Sequence, residues 1–318
     1  MFNAPSAPGG AVIRSFGEYQ PAHVVTNHDL AQRVDTDDEW IRSRVGIEER
    51  RVAGPDDSVE SMAVAAGGKA LAASGLSPED IDLVIVATCT SQDQIPNSAA
   101  TVAARLGIAA PGAFDVNAAC AGFCYALNLA SDSVRVGSSR HVLVVGSEKL
   151  SDWVDWDDRA TCVIFADGAG AAVVSADEDQ GIGPVVWGSS GERADTIYLR
   201  ENRYLYQEGQ AVFRWTTTEL YKVALQALER AGVDPTEITA FVPHQANLRI
   251  VESIARKLGA PQALVARDIV TAGNTSSASI PLALSRMIGR GELRSGSTVL
   301  TLGFGAGLVY AAQVIRVP

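Results

Sequence analysis

One of the four cysteines in this chain stands in unusual company. Cys120, in FDVNAACAGFCYAL (114–127), lies between Asn117-Ala118-Ala119 and Ala121-Gly122, where a strand pattern gives way to a helical one. A thiol at a helix start is favoured as thiolate by free backbone N–H groups and the helix dipole, which can lower its pKa. Small neighbours leave clearance for a substrate, yet a free thiol also packs well as a small core residue. By itself the residue fits either use. Cys124, one turn on, reads as core filler. His244, in FVPHQAN, ends an apolar strand before a helix, which points to partial burial. His23, His28 and His141 sit in polar or loop settings and read as solvated. Asn274, in TAGNTSSASIPLAL, again opens a helix among small residues, a place where Asn also serves as a cap. Neutral His and Asn can both donate hydrogen bonds to a developing oxyanion or enolate, so the three residues together suggest one site. GFGAGLVYAAQVIR (303–316) adds a glycine-rich turn. Its N–H groups, that of Ala306 among them, could complete an oxyanion hole with the Cys120 N–H. The turn lacks both the dinucleotide G-x-G-x-x-G spacing and a P-loop lysine. FADGAGAAVV (165–174) reads as a similar turn entering a strand, structural in role.

The elements that carry these residues alternate. DLVIVAT (82–88) and HVLVVG (141–146) are short, wholly apolar runs of the kind buried on both faces of a sheet. SVESMAVAAGGKALAAS (58–74), TTELYKVALQALERAG (217–232) and NLRIVESIARKLG (247–259) have helical character. The chain is therefore α/β, with its sheets covered by helices.

It also repeats itself. KALAASGLSPEDID (from 69) aligns with QALERAGVDPTEIT (from 226), HVLVVG (from 141) with TVLTLG (from 298), and Asn117 with Asn274, each 157 residues apart. Two halves on one plan are expected, 1–178 carrying the cysteine and 179–318 carrying the histidine and asparagine. At that spacing Cys120 faces Ser277 and His244 faces Ala87. Each reactive side chain thus occurs once, at equivalent junctions that a pseudo-twofold would bring together, and ligands commonly bind at such interfaces.

Composition excludes several classes. The 318 residues, 47% hydrophobic, suffice for about two domains. A net charge of −11 argues against nucleic acid as a partner. No apolar run approaches the roughly 20 residues of a membrane span. The opening residues lack the charged and apolar regions of a signal peptide. Four cysteines are too few for a disulfide framework and show no zinc-ligand spacing, so no metal is expected and a reducing cytoplasmic setting is.

DVNAACAGF, VPHQANLRI, AGNTSSASIPLAL and GFGAG, in this order, resemble the hallmark segments of the β-ketoacyl-acyl carrier protein synthase III family, with likeness running from about Val12 to the C-terminus. The resemblance implies a thiolase-like fold, five layers α-β-α-β-α in two pseudo-symmetric halves, and a homodimer. It implies a Cys120, His244 and Asn274 site that condenses an acyl-CoA primer with malonyl-acyl carrier protein and starts fatty-acid chains. No cofactor beyond these substrates is implied. Cys120 would carry the acyl group, His244 and Asn274 would hold the enolate, and the N–H groups of Cys120 and Ala306 the oxyanion. Phe304 matches a phenylalanine beside the thiol.

The same resemblance assigns coenzyme A binding to Thr36, Trp40, Arg44, Arg159 and Asn247, with Trp40 on one adenine face and Arg159 on the other. It assigns an acyl pocket to Ile95, Leu150 and Phe165, and carrier-protein docking to Arg214, Arg249, Arg256 and Lys257. The last three are spaced to share one helix face, and a local basic face suits an acidic partner. Ile95 stands where some members place a phenylalanine that reaches the partner subunit's pocket, and the stretch 190–212 is short. Primer choice therefore stays open, as does a role in polyketide starter loading or acyl transfer to another acceptor.

Overall fold

A computed structural model describes residues 9–318; the first eight, part of the segment read above for a signal peptide, lie outside the described residues. LVIVA forms the strand Leu83–Ala87, every residue buried. It pairs parallel with His141–Lys149 on one side and Gly112–Val116 on the other. Asp167–Asp177 runs antiparallel along His141–Lys149, and Gly10–Tyr19 antiparallel along Asp167–Asp177. The second sheet repeats this plan. Ala240–Pro243 lies parallel to Thr298–Gly305 and to Leu264–Val265, and Val309–Arg316 and then Val186–Ser189 add antiparallel strands.

Matching elements keep the 157-residue spacing. Leu83 and Ala240, like His141 and Thr298, open equivalent strands, and Gly122 and Ser279 open equivalent helices. Those two helices, Gly122–Arg135 and Ser279–Gly289, lie between the sheets. Phe123, Leu127, Ile280 and Leu284 pack there with Ile85, Val144, Val242 and Val299 in one core. Val59–Ser74 and Ser98–Arg105 cover the outer face of the first sheet, where Met62, Ala66 and Val102 meet Val84, Val86 and Leu143. Gly209–Ala231 and Leu248–Ala255 cover the second, where Leu220 and Ile250 meet Phe241 and Leu300. The result is the five-layer α-β-α-β-α stack. Each buried side chain of this size contributes roughly 1.5–3 kcal/mol, so the middle layer ties the halves together.

Close approach depends on absent side chains. A Cβ on Gly122 would lie 3.1 Å from the Ala87 Cβ, and one on Gly146 2.5 Å from the Ser277 carbonyl oxygen. The glycines of FADGAG serve the same end rather than making a turn. They lie at the start of the straight strand Asp167–Asp177, where a Cβ on Gly170 would strike the backbone nitrogen of Leu282 at 2.6 Å. His141 also departs from expectation. It opens a central strand, is 9% exposed, and has Nδ1 2.8 Å from the Ser175 hydroxyl. Arg256 and Lys257 do not share a helix face with Arg249, because the helix ends at Ala255. Lys257 instead reaches the Thr217 carbonyl and the Tyr221 ring, fastening one outer helix to the next.

Candidate active site

The strand Gly112–Val116 leads through Asn117 and Ala118 to Ala119, whose φ is +45°. A left-handed alanine is uncommon and costs of order 1–3 kcal/mol. Here it turns the chain into the short 3-10 segment Ala119–Ala121 and then the helix from Gly122, and Cys120 faces a cavity of about 1810 Å³. The equivalent residue of the second half, Ser276, has φ +50°. Opposite Cys120 lies Gly305, where a Cβ would come within 2.7 Å of the Cys120 nitrogen and 3.2 Å of its Sγ. The thiol is not depressed as the helix argument expects. Burial pushes it up to about 12, and the charge of Glu148 adds to the rise. Desolvation outweighs the helix start.

His244 follows the buried strand Ala240–Pro243, is 1% exposed, and lines the same cavity. Burial alone pulls its pKa down to about 3, so the ring is neutral near pH 7. Its Nδ1 lies 2.7 Å from Ser279 Oγ, which accepts the Gln245 N–H at 3.2 Å. Among the described residues Nδ1 is the one acceptor within reach of the Ser279 hydrogen; donation to it leaves the ring proton on Nε2. Phe304 packs edge-on against the imidazole, with centroids 5.1 Å apart.

Asn274 is 4% exposed, and its backbone is pinned by hydrogen bonds with Ile164 and Ala166. Its Oδ1 accepts the Ser276 N–H at 2.9 Å. The expected capping role and the chemical role are therefore compatible: Oδ1 is occupied, and Nδ2 is left as a donor. The structure brings Cys120, His244, Asn274, Phe304 and Ala306 to one cavity. It is a thiol facing two neutral donors.

The remaining expected residues divide. Trp40, Arg44 and Asn247 line the cavity; Thr36 and Arg159 do not. Arg159 sits 4.8 Å over the Trp40 ring, on the side expected to receive adenine. Asn247 spends its amide on capping, with Oδ1 accepting the Arg249 N–H and Nδ2 donating to the Arg44 carbonyl. Thr36 holds a buried hydroxyl that has no partner among the described residues. Leu150 and Phe165 line the cavity, whereas Ile95 is 91% exposed and lies outside it. Arg214 and Arg249 are exposed and reach the cavity lining. The short stretch 190–212 contributes the hairpin Ile197–Leu199 and Leu205–Gln207 to its wall.

Sequence reasoning passed over Gly305, Ser276, Ser279 and Glu148. Ser279 and Ser276 could have been flagged as polar residues inside the Asn274 motif. Gly305 is marked by its glycine-rich turn, but Glu148 reads as the charged end of a strand and carries no signal.

A duplicated five-layer frame that gathers a thiol, a neutral imidazole and a carboxamide where its halves meet defines a thiolase-like condensing enzyme, an acyltransferase. Residues 114–191 match the 3-oxoacyl-[acyl-carrier-protein] synthase III family, and residues 228–317 match its C-terminal region. The protein named β-ketoacyl-[acyl-carrier-protein] synthase III 4 of Streptomyces coelicolor is 56% identical over 313 residues, 97% of this chain and 99% of that protein. Among solved structures, the 3-oxoacyl-[acyl-carrier-protein] synthase III of Aquifex aeolicus is 41% identical, with a TM-score of 0.94 over 97% of this chain and 100% of that one. The priming β-ketosynthase of the R1128 polyketide pathway is also 41% identical, with a TM-score of 0.97 over 100% and 98%. The chain belongs to the β-ketoacyl-[acyl-carrier-protein] synthase III family.

Proposed function

We propose that the chain joins an acyl-CoA primer to malonyl-acyl carrier protein by decarboxylating Claisen condensation and so starts fatty-acid chains. Cys120 attacks the primer thioester and keeps the acyl group while coenzyme A leaves, which divides one difficult event into two. Malonyl-acyl carrier protein then presents its thioester carbonyl to His244 Nε2 and Asn274 Nδ2. Loss of carbon dioxide leaves an enolate held by these donors, and its carbon attacks the acyl-Cys120 carbonyl. The N–H groups of Cys120 and Ala306 hold the oxyanion, and its collapse expels the Cys120 thiolate, which takes up one proton from solvent as 3-oxoacyl-acyl carrier protein leaves. The observation that carries this reading is the neutral, buried imidazole beside the thiol: an imidazolium would offer its proton to the carbanion, whereas a neutral ring only donates a hydrogen bond. Intact-mass measurement after mixing with acetyl-CoA or isobutyryl-CoA tests it. An acyl adduct on Cys120 that malonyl-acyl carrier protein discharges is expected, and no adduct with any short acyl-CoA would sink the reading.

Likeness to a polyketide priming ketosynthase supports a second use of the same chemistry, loading a polyketide starter. A primer panel with carrier proteins of both pathways separates the two. Adenine of the primer takes the Trp40 face by displacing Arg159, Arg44 and Asn247 flank the rest of the coenzyme, and Leu150 and Phe165 bound the acyl group. Exposed Arg214, Arg249 and Arg256 dock the acidic carrier protein.

The chain works as a homodimer. Gly112–Val116 is an edge strand of its sheet, and Phe114 on it is 38% exposed; such an edge is blunted by pairing with another. The projecting Ile95 then reaches the partner subunit. Among the described residues no helix is long and apolar enough to cross a membrane, and the four cysteines are free thiols, in keeping with a cytoplasmic enzyme.

A further inference from the structure

Asn274 offers Nδ2 as a donor only while Oδ1 is held elsewhere, and the hold comes from the Ser276 N–H at 2.9 Å. An N–H requires an oxygen, so this one contact decides which end of the carboxamide is free. The N–H turns back to Asn274 because Ser276 has φ +50°. That left-handed conformation is uncommon for a residue with a side chain and persists where its surroundings over-determine it.

The surroundings here are a buried carboxylate. Glu148, fully buried, stands near the end of the strand His141–Lys149. Its Oε1 accepts the Ser276 hydroxyl at 3.0 Å and lies 2.9 Å from Ser277 Oγ. Its Oε2 accepts the N–H groups of Cys89 and Thr90, each at 3.1 Å, and the Thr90 hydroxyl at 2.6 Å. No cation is among these partners. Burying a carboxylate without a cation is costly, so its retention calls for a use. Cys89 and Thr90 follow the strand Leu83–Ala87 of the first half, whereas Ser276 and Ser277 belong to the second. One carboxylate thus registers the loop of Asn274 on the half that carries Cys120.

The duplication supplies a comparison. Asn117, 157 residues before Asn274, makes the same turn, with Oδ1 accepting the Ala119 N–H and φ +45° at Ala119. This copy has alanine in place of Ser276, and Gly305 stands where the repeat would put Glu148, so hydroxyl and carboxylate are both missing. Its hydrogen bond is 3.3 Å long against 2.9 Å, and Asn117 is exposed whereas Asn274 is buried. The turn forms without the anchor and is tighter with it.

We infer that Glu148, acting through the Ser276 hydroxyl, is a positioning residue for Asn274: it keeps the Ser276 N–H on Oδ1, so that Nδ2 meets the thioester carbonyl that becomes the enolate. With that hold loosened, the carboxamide can turn over and present Oδ1, an acceptor facing a developing anion. Glu148 lies behind the cavity wall that Ser276 helps to form and touches no reacting atom. Acylation of Cys120 makes no use of Asn274, so the effect falls on decarboxylation and condensation.

The inference rests on the condensation reading above, and a double-substitution cycle separates the two. Cys120 is acylated with acetyl-CoA, and discharge of the isolated acyl-enzyme by malonyl-acyl carrier protein is followed in single turnover by intact mass. The proteins compared are the wild type, Ser276→Ala, Glu148→Gln, Asn274→Ala and the Ser276→Ala, Asn274→Ala double variant. Ser276→Ala is expected to fold, since the equivalent left-handed position 119 already holds alanine. Asn274→Ala should slow discharge about 10²-fold, the scale of a lost oxyanion donor. Ser276→Ala and Glu148→Gln should each slow it about tenfold, part of the roughly 10²-fold that a 1 Å misplacement costs. Both should acylate within about threefold of wild type, and the double variant should discharge within about threefold of Asn274→Ala, because nothing is left to position. Wild-type discharge in Ser276→Ala and Glu148→Gln, a full tenfold further loss in the double variant, or an equal loss in acylation would overturn the inference. If Asn274→Ala itself discharges at the wild-type rate, the reading under Proposed function falls, and this inference with it.

Discussion

Ser277 Oγ lies 2.8 Å from the carbonyl oxygen of Ala87. Ser277 stands 157 residues after Cys120, and Ala87 stands 157 residues before His244. The contact is the pseudo-symmetric image of the junctions that carry Cys120 and His244, with neither thiol nor ring present. Each half thus brings one junction to the centre. In one image the junctions hold a thiol and a ring against a cavity; in the other they close on each other through a hydroxyl and a carbonyl.

The first prediction concerns pH and stability. Folded His244 has its pKa drawn down by burial to about 3, against an ordinary 6.5. Below pH 6.5 the unfolded chain takes up a proton that the folded chain refuses until pH nears 3. The stabilisation is therefore whole above pH 6.5 and is lost as pH falls through that window. Between pH 7 and pH 5 the wild type should lose about 2 kcal/mol more than His244→Gln, from about 1.5 pH units at 1.36 kcal/mol each. Urea midpoints at the two pH values check this, and parallel losses would refute it.

A methyl group at position 305 should act on Cys120 directly. The added Cβ would lie 2.7 Å from the Cys120 nitrogen and 2.9 Å from its Cβ, so backbone has to move. Gly305→Ala is expected to cost about 1–3 kcal/mol as an overpacked site and to slow Cys120 acylation by at least about 10²-fold, since a misplacement of 1 Å costs that much. Thermal melts and adduct formation measure the two effects separately.

Charge reversal at the cavity mouth should divide the two substrates. Arg214→Glu and Arg249→Glu are expected to raise KM for malonyl-acyl carrier protein about tenfold or more at low salt, with the difference shrinking as salt screens it. Acylation by acetyl-CoA should change little. An equal rise in KM for both substrates would place these arginines on the coenzyme instead.

Ile95 gives a test of assembly. Ile95→Asp adds a charge to a side chain that is 91% exposed in the single chain, so it should leave the monomer fold intact and weaken the dimer. Sedimentation or light scattering over a dilution series should show dissociation at concentrations where the wild type stays paired. Unchanged association would remove Ile95 from the interface.

The alternating elements, the repeat, and the Cys120, His244 and Asn274 junctions were legible because they rest on local pattern and on motif. What escaped depends on partners far along the chain. Glu148 is buried by Thr90 and by Ser276, and a charged residue closing a strand gives no hint of that. His141 looks like the polar start of a strand until Ser175 of the neighbouring strand meets its ring. Lys257 belonged to a helical stripe only while the helix was assumed to continue past Ala255. The thiol itself was misjudged because the helix start is local and visible, while the burial that outweighs it is assembled from both halves.

Glu148 and Gly305 are themselves 157 residues apart. The carboxylate fills the space beside Ser277, and the glycine leaves the space beside Cys120 empty. Duplication thus produced a lock and a blank cut from one template. The blank is no spare part, because Ser276, beside it, lines the cavity that Cys120 faces. A substitution on the silent side of the midline should therefore be felt in that cavity as well as in the fold.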